Sequence, residues 1–538
     1  MSRRQTIAAG TTGLIAAADG TPEQVHLTWD GDPARSIVVS WASPGQASRP
    51  RVRIGQRVIS ATGRSWTDAL TGAVTWTYHA RVDRLRPGAT YGYAVTADND
   101  SNAADPFSAT FTTAPEGRAA FRFTSFGDLA PAWADSYGQA AYAVSAVETF
   151  QPLFHLLNGD LAYPGRSPGA LHPGDWAQAW RDFGNNVQPS AANRPWLPVP
   201  CNHELAPGHA EQGVASFLTR YTLPPNGVDG FEGRWYAFRV GTVLFVCLSG
   251  DDVAHVGASA LVAATAPLLA AQPAGSTPAA GAPGYVRGYS GGAQTRWLES
   301  TLAAARADSS IDWIVVQVHQ CACSSAPDGN GSDLGVRQEW LPLFDTYEVD
   351  LVLSGHDHGY ERSFPVRGTD PWAGADAVTG APADTRRPHP VTTVDSGVFD
   401  TSQGTVHLVL GSDAGRPGSS GPASPPWERT ARTVTRPPLP PREPPVPGGS
   451  PRPAADAAEP AVWSARRDPS AGYGIAVFDV APGSDAGGQT SVTVRYYHAV
   501  GADPASPAPG ASAGDYTLFE TFTLTRPRSA GRRWHPKG

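Results

Sequence analysis

The sequence predicts an all-β sandwich followed by an α/β domain. Over residues 22–115, short β-branched and aromatic runs alternate with turn residues, and no helical pattern intervenes. From residue 119 onward, helix-like and strand-like segments alternate, as where residues 295–306 lead into residues 311–318. At 538 residues the chain is also long enough to divide into at least two domains.

The first domain, residues 21–116, is predicted to be an immunoglobulin-like β-sandwich. Its clearest strands are residues 37–41, 75–82 and 90–96, and turn residues at 86–88 and 98–100 separate neighbouring segments. Packing beside the second domain is the favoured role, ahead of carbohydrate or surface binding.

Five short motifs in the second domain carry oxygen and imidazole ligands. They are Phe-Gly-Asp at 126–128, Asn-Gly-Asp-Leu-Ala-Tyr at 158–163, Cys-Asn-His-Glu at 201–204, Val-Gln-Val-His at 316–319 and Gly-His-Asp-His at 355–358. Three of them follow runs that are typical of buried strands. A ligand just past a strand is held rigidly at the edge of a sheet, where open α/β sheets bind their ligands. The pattern predicts a metal-dependent hydrolase with two adjacent metals.

In this order, the motifs resemble those of the metallophosphoesterases, and Tyr163 makes the chain similar to the purple acid phosphatases. Residues 355–363 resemble that family's Gly-His-x-His-x-Tyr-Glu-Arg signature, and residues 22–28 resemble the start of its N-terminal domain. Residues 85–93 resemble a corner of fibronectin type III sandwiches. The resemblance implies a four-layer αββα catalytic domain over residues 119–526, preceded by a fibronectin III-like sandwich.

The resemblance also implies a set of metal ligands. Asp160 would bridge the two metals, because a carboxylate has two oxygens. The other ligands would be Asp128, Tyr163 and His358 on the first metal, and Asn202, His319 and His356 on the second. Carboxylate and phenolate oxygens suit Fe³⁺, whereas imidazoles with an amide oxygen suit Zn²⁺, Mn²⁺ or Fe²⁺. The expected cofactors are therefore two metal ions, Fe³⁺ plus one of these divalent ions.

His356 and His358 are two residues apart, so on a regular strand both side chains would point the same way. Serving two metals therefore predicts a loop here, which Gly355 makes easier.

Three further residues are candidates for contacts around the metals. His203 is predicted to contact the phosphate or to donate a proton to the leaving group, and Glu204 to orient its imidazole. The alternative for His203 is that it only positions phosphate or supports Asn202. Arg362 either binds substrate in the pocket or pairs with a carboxylate.

The chain departs from the family around these motifs. Cys201 stands where a glycine usually precedes Asn-His-Glu, and residues 320–355 contain none of the histidines that plant-type members carry there. A proton donor from that interval, and with it an acidic pH optimum, is therefore in doubt. Cys201 and Cys321 both neighbour ligands expected on the second metal. They are expected to be inert or disulfide-bonded rather than metal-ligating.

The resemblance implies an acid phosphatase-like enzyme that hydrolyses phosphate monoesters by attack of a metal-bound hydroxide. The alternatives are a phosphodiesterase on the same centre and a non-catalytic extracellular binding protein. Small-molecule phosphate esters are the expected partners. Nucleic acid is not, because 17% charged residues and a net charge of −8 offer no basic face. Lys537 is the only lysine, which excludes a Walker-type loop and a Schiff-base lysine. Nothing in the sequence indicates an oligomeric state.

Several segments lie outside the folded pattern. Residues 1–20 resemble a twin-arginine export signal, which predicts a secreted or cell-envelope protein. The alternative is an alanine-rich N-terminus on a cytoplasmic protein. No stretch approaches the ~18 apolar residues of a membrane span. Residues 263–283 are predicted to be a surface loop, residues 414–460 an extended, mobile, proline-rich insertion rather than a docking segment, and residues 527–538 a polar tail.

Overall fold

The computed structural model describes most of the chain. The described residues are 19–68, 71–129, 137–164, 176–205, 210–254, 289–325, 331–375, 382–411, 430–435, 455–468, 474–483, 488–499 and 516–528. Outside the described residues lie the loop at 263–283 and nearly all of the predicted export signal and of the tail. Among the described residues, no helix is long and apolar enough to cross a membrane.

In the described part of the N-terminal domain there are eight strands. They are β1 (Glu23–Thr28), β2 (Ile37–Ser43), β3 (Arg51–Ile54), β4 (Arg57–Ser60), β5 (Thr62–Thr67), β6 (Val74–Val82), β7 (Thr90–Thr96) and β8 (Ser108–Thr112). They form two four-stranded sheets, ordered β1-β2-β6-β5 and β4-β3-β7-β8. At the predicted corner, the Tyr91 hydroxyl accepts a hydrogen bond from the Arg86 backbone N–H at 2.8 Å. The predicted all-β domain is confirmed.

Two larger sheets and two smaller ones are formed by the described residues of the second domain. Its strands are β9 (Phe121–Phe126), β10 (Phe154–Leu157), β11 (Trp196–Pro198), β12 (Tyr236–Val240), β13 (Val243–Leu248), β14 (Trp313–Val318), β15 (Ser332–Asp333), β16 (Leu351–Ser363), β17 (Val366–Ala375), β18 (Pro382–Pro390), β19 (Val398–Asp400), β20 (Val406–Gly411), β21 (Thr430–Thr435), β22 (Ala455–Pro460), β23 (Ser464–Asp468), β24 (Gly474–Ala481), β25 (Gln489–Ala499) and β26 (Tyr516–Pro527). One larger sheet has the order β11-β10-β9-β24-β25-β26-β19. The other has the order β12-β13-β14-β16-β20, with β23 paired to β16. The smaller sheets are β15-β21-β22 and β17-β18. Strands β9, β10 and β11 run parallel, as do β13, β14, β16 and β20.

Among the residues that the structure describes, six α-helices accompany these sheets. They are α1 (Tyr137–Phe150), α2 (Trp176–Ala191), α3 (Ala210–Arg220), α4 (Ala293–Ala307), α5 (Leu334–Glu339) and α6 (Leu341–Thr346). In α4, Leu298, Leu302 and Ala305 recur at helical spacing and are buried in one cluster with Ile314 of β14 and Val352 of β16. This helix therefore covers the outer face of its sheet.

An aromatic cluster joins the two larger sheets face to face. Phe123 of β9 stacks on Phe478 of β24 at 4.4 Å between centroids and meets Phe245 of β13 edge-on at 5.1 Å. All three rings are buried, and each contributes about 1.5–3 kcal/mol through burial alone. The sandwich of two sheets with flanking helices confirms the predicted fold class.

The sequence predicted most of these elements. The predicted helix at 295–306 and strand at 311–318 correspond to α4 and β14, and β24 pairs antiparallel with β25, as predicted for the closing strands. In the proline-rich insertion, β21 and β22 pair antiparallel, so these parts have regular structure. Its remaining residues up to 454 lie outside the described part.

The N-terminal domain caps the end of α3. The last carbonyls of a helix lack partners within it. Here Arg64 donates to the Leu218 carbonyl at 2.7 Å, and His79 Nε2 donates to the Thr219 carbonyl at 2.9 Å. His26 Nε2 contacts the next carbonyl, that of Arg220, at 3.1 Å. These contacts pack the N-terminal domain against the second domain.

We expect this interface to weaken at acidic pH. Burial, with the charge of Arg64 adding to it, lowers the pKa of His79 to about 3 from 6.5. As the pH falls, His79 therefore becomes protonated near pH 6.5 in the unfolded chain but only near pH 3 in the folded protein. The stabilisation is complete above pH 6.5 and falls by up to about 1.4 kcal/mol per pH unit below it.

Chemical denaturation between pH 7 and pH 4 tests this expectation. His79→Gln should flatten the loss of unfolding free energy with falling pH, whereas the same change at the exposed His389 should not. An unchanged slope in His79→Gln would show that other groups cause the loss.

Candidate metal centre

The predicted ligands meet where parallel strands of both sheets end. Asp128 follows β9, Asp160 follows β10, and His319 follows β14. A bridge between Gly127 and Gly411 joins the two sheets at this edge. Ligands that are far apart in sequence therefore converge, as expected for the carboxyl ends of parallel strands.

Two imidazoles, of His319 and His356, lie in the same cluster as the Asp160 carboxylate. His319 Nε2 is 3.3 Å from Asp160 Oδ2, and His356 Nδ1 is 3.1 Å from His319 Nε2. One ligand atom from each of the three buried residues lies within 4.8 Å of the others, so together they could hold a metal ion.

Around Asp128, the second group of predicted ligands assembles. Its Oδ1 lies 3.5 Å from the Tyr163 hydroxyl and 3.6 Å from His358 Nε2.

The remaining candidate, Asn202, has a buried Oδ1 that accepts no hydrogen bond from any described residue. A buried amide oxygen without a donor is costly unless it has another partner, and a cation is one. The residues present therefore fit the metals that the sequence predicts.

Strained backbone conformations concentrate at this site. Among the described residues, nine besides glycine have positive φ, and four of them are predicted ligands. These four are Asp128 at 59°, Asp160 at 49°, Tyr163 at 48° and His356 at 70°. Such conformations cost on the order of 1–3 kcal/mol each and persist where the surrounding structure enforces them, often at functional sites.

β16 carries His356 and His358 without a loop. The strand continues through both residues, but its register with β20 shifts repeatedly between Ser354 and Arg362. The prediction of a loop at these residues is therefore wrong, because an irregular strand carries both histidines. The left-handed φ of His356 breaks the alternation of side chains and lets the two imidazoles serve different carboxylates.

Glycines allow the ligands to approach each other closely. A Cβ on Gly159, whose φ is +87°, would lie 2.6 Å from His319 Nδ1. A Cβ on Gly355 would lie 2.5 Å from Asp128 Oδ2. Larger residues at either position would push a ligand out of place.

Backbone groups orient the ligands further. His319 Nδ1 donates to the Asn158 carbonyl at 2.6 Å, which leaves Nε2 facing Asp160. The His356 N–H donates to both oxygens of Asp128, at 3.1 and 3.0 Å.

Charges within the cluster shift its pKa values strongly. Burial alone would lower the pKa of His319, but Asp160 and Asp128 outweigh it and raise the pKa to about 10. Burial, assisted by His319, holds the pKa of His356 well below its usual value. Burial would raise the pKa of Asp160, yet His203 and His319 keep it well below normal. A cation bound here would displace a proton from His319.

Glu204 does not orient His203, which corrects the sequence prediction. Its Oε1 accepts hydrogen bonds from the Leu161 and Ala162 backbone N–H groups at 2.8 and 3.3 Å, and Cys201 Sγ lies 2.9 Å from its Oε2. Burial first, and then the charge of Asp160, raises the pKa of Glu204 to about 8. The contacts of Glu204 therefore hold the backbone that follows Asp160.

His203 lies at the open side of the cluster. Its ring stacks on Tyr163 at 4.2 Å between centroids, and its Nε2 is 3.7 Å from Asp160 Oδ2. The side chain is 29% exposed, so it is placed to meet a ligand from solvent.

Arg362 takes the carboxylate-pairing alternative. It is fully buried and contacts Glu520 at 2.6 Å and Asp395 at 2.8 Å. Tyr360 of the same signature donates to the other Glu520 oxygen at 2.6 Å. These contacts fix the strand that carries the histidines, and the contacts found for Arg362 do not support its predicted role in binding substrate.

All four cysteines are free and buried, so Cys201 and Cys321 form no disulfide. Cys321 Sγ donates to the Gly355 carbonyl at 3.0 Å. In the loop after Cys321, the carboxylate of Glu361 accepts hydrogen bonds from the N–H and the hydroxyl of Ser325. Residues 326–330 lie outside the described part.

Asp251 is a further candidate residue, which none of the five motifs contains. It follows β13, which lies parallel beside β14, so it reaches the same edge as His319. Gln320 donates to its Oδ1 at 3.2 Å, and its buried Oδ2 has no hydrogen-bond partner among the described residues. Burial raises its pKa to about 7. The signal was available, since a buried strand followed by a carboxylate also identified Asp128.

Comparisons with known proteins identify the family of the chain. Residues 22–114 match the family described as Purple acid Phosphatase, N-terminal domain, and residues 121–360 match Calcineurin-like phosphoesterase. An uncharacterized protein of Mycobacterium tuberculosis is 37% identical over 94% of this chain and 87% of its own length. The Fe(3+)-Zn(2+) purple acid phosphatase 12 of Arabidopsis thaliana is 22% identical over 65% of this chain and 66% of its own. The purple acid phosphatase PPD1 from yellow lupin seeds shares the fold, with a TM-score of 0.57 and 17% identity over 94% of this chain and 74% of that protein.

Fold and motifs together define a metallophosphoesterase. Within that class, the chain belongs to the purple acid phosphatase-like enzymes with an N-terminal β domain. It is therefore a phosphoesterase hydrolase, and the alternative of a non-catalytic binding protein is set aside. The family implies two metal ions and phosphate ester substrates.

Proposed function

We propose that this enzyme hydrolyses phosphate monoesters at a centre of two metal ions. The observation that carries the proposal is the pair of adjoining ligand groups, one around Asp160 and one around Asp128. His319 interacts electrostatically with both carboxylates, which supports a single centre with two positions.

This geometry supports the ligand assignment that the sequence predicts. Asp160 would be the shared ligand. Asp128, Tyr163 and His358 would hold one metal, and Asn202, His319 and His356 would hold the other. The first group offers carboxylate and phenol oxygens, which suit Fe³⁺, and the second suits Zn²⁺, Mn²⁺ or Fe²⁺. Bound metals would supply Lewis acidity for the phosphate and an activated water at neutral pH.

The chain's own residues supply orientation and proton transfer. Asn158 and the His356 backbone fix the ligands around the reacting phosphate. His203, exposed at the rim and close to Asp160, is the proposed group that contacts the phosphate or protonates the leaving oxygen.

The purified protein, assayed with defined metals, tests this function. We expect two metals per chain, one of them iron, visible absorption from the Tyr163 phenolate on Fe³⁺, and faster turnover of monoesters than of diesters across pH. Faster turnover of diesters would indicate a phosphodiesterase. Full activity with one metal per chain would contradict the dinuclear centre, and a colourless, fully active zinc or manganese protein would contradict Fe³⁺.

A further inference from the structure

Cys201 lies between two carboxylates at the centre of the site. Its Sγ is 2.7 Å from Asp160 Oδ1 and 2.9 Å from Glu204 Oε2, and it accepts a hydrogen bond from the Asp160 N–H at 2.7 Å. The side chain is completely buried. A thiol has one proton, so its S–H donates to one of the two carboxylates at a time, while the sulfur accepts from the Asp160 N–H.

The thiol distinguishes the two oxygens of Asp160. Oδ1 faces Cys201 Sγ and the His203 backbone N–H, which is 3.4 Å away. Oδ2 faces the imidazoles of His319 and His203, at 3.3 and 3.7 Å. The thiol contact at Oδ1 therefore fixes the rotation of the carboxylate and presents Oδ2 to the ligand cluster, where this one oxygen, with its two lone pairs, would be the shared ligand atom.

Glu204 extends this support into the backbone. One of its oxygens meets the thiol, and the other accepts the N–H groups of Leu161 and Ala162. Helix α3 presses on the same turn, since a Cβ on Gly213 would lie 2.0 Å from the Glu204 carbonyl oxygen. Cys201 thus connects the turn at 201–204 with the turn at 160–163.

We propose that Cys201 is a positioning residue, whose thiol orients the Asp160 carboxylate for the metals. This inference rests on the proposed function, because it assumes that Asp160 binds metal. Asp160, Cys201 and Glu204 lie close enough to one another to hold a cation themselves. The hydrogen bonds nevertheless account for all the contacts found for the sulfur, so positioning is the role that the geometry supports.

Cys201→Ala and Cys201→Ser test the proposal, with Cys247→Ser as the matched control. Cys247 is another buried thiol, and it donates to Gln317 at 3.2 Å. In Cys201→Ala we expect metal affinity, measured by competition with a chelator, to fall by about 10–100-fold, as for other groups that orient ligands. Cys201→Ser keeps a donor and should lose less, and Cys247→Ser should match the wild type.

Hydrogen exchange of residues 158–163 in metal-free protein gives a second measurement, which does not require metal. The Asp160 amide should exchange faster in Cys201→Ala, because its acceptor is gone, and remain protected in Cys247→Ser. If the wild-type protein does not bind two metals, the proposed function is refuted. Faster exchange of the Asp160 amide in Cys201→Ala would still support the positioning role. Unchanged exchange together with unchanged metal affinity in Cys201→Ala would overturn the inference. Tighter metal binding there would overturn it too.

Discussion

Asp160→Asn is expected to remove metal binding and turnover together. The substitution keeps the shape of the side chain but removes the negative charge that faces His319 and His203. Asp160 is the proposed ligand of both metals, and its negative charge attracts them. Without that charge both metals should bind weakly, and turnover should fall by at least about 10²-fold.

Metal content and turnover must be measured on the same preparations. Asp479→Asn is a suitable control, because this aspartate is paired with Arg122 and Arg495 on the seven-stranded sheet and contacts no predicted ligand. The control should keep two metals per chain. An Asp160→Asn protein with two metals and full activity would refute the shared-ligand assignment.

The sequence located the candidate site because the site follows a simple rule. Buried parallel strands end at one edge, and Asp128 and His319 come directly after such strands. Asp251 obeys the same rule and was still overlooked, because its neighbours form no motif.

Contacts at long range could not be predicted in this way. Arg362 pairs with Glu520, 158 positions later in the chain, and nothing in the local pattern identifies that partner. Likewise, the partners of Glu204 depend on the fold of two turns rather than on its position beside His203. The break in β16 at His356 depends on a backbone angle that residue type alone does not set.

Replacing His203 with Ala should damage turnover of alkyl phosphates more than that of aryl phosphates. An alkoxide leaving group needs a proton in the transition state, whereas a phenolate departs well without one. His203 is the imidazole within the five motifs that the ligand assignment leaves available. We expect losses of about 10²–10⁴-fold for alkyl esters, the usual worth of a general acid.

The comparison between leaving groups separates two roles of the same side chain. If His203 only positions phosphate, both ester classes should lose turnover by a similar factor while metal content stays constant. A drop in metal content would instead show that the stacking of His203 on Tyr163 supports a ligand. Equal losses would turn attention to Asp251, a buried carboxyl group beside His319 whose pKa burial raises to about 7. In that case Asp251→Asn, and not His203→Ala, should affect alkyl esters selectively.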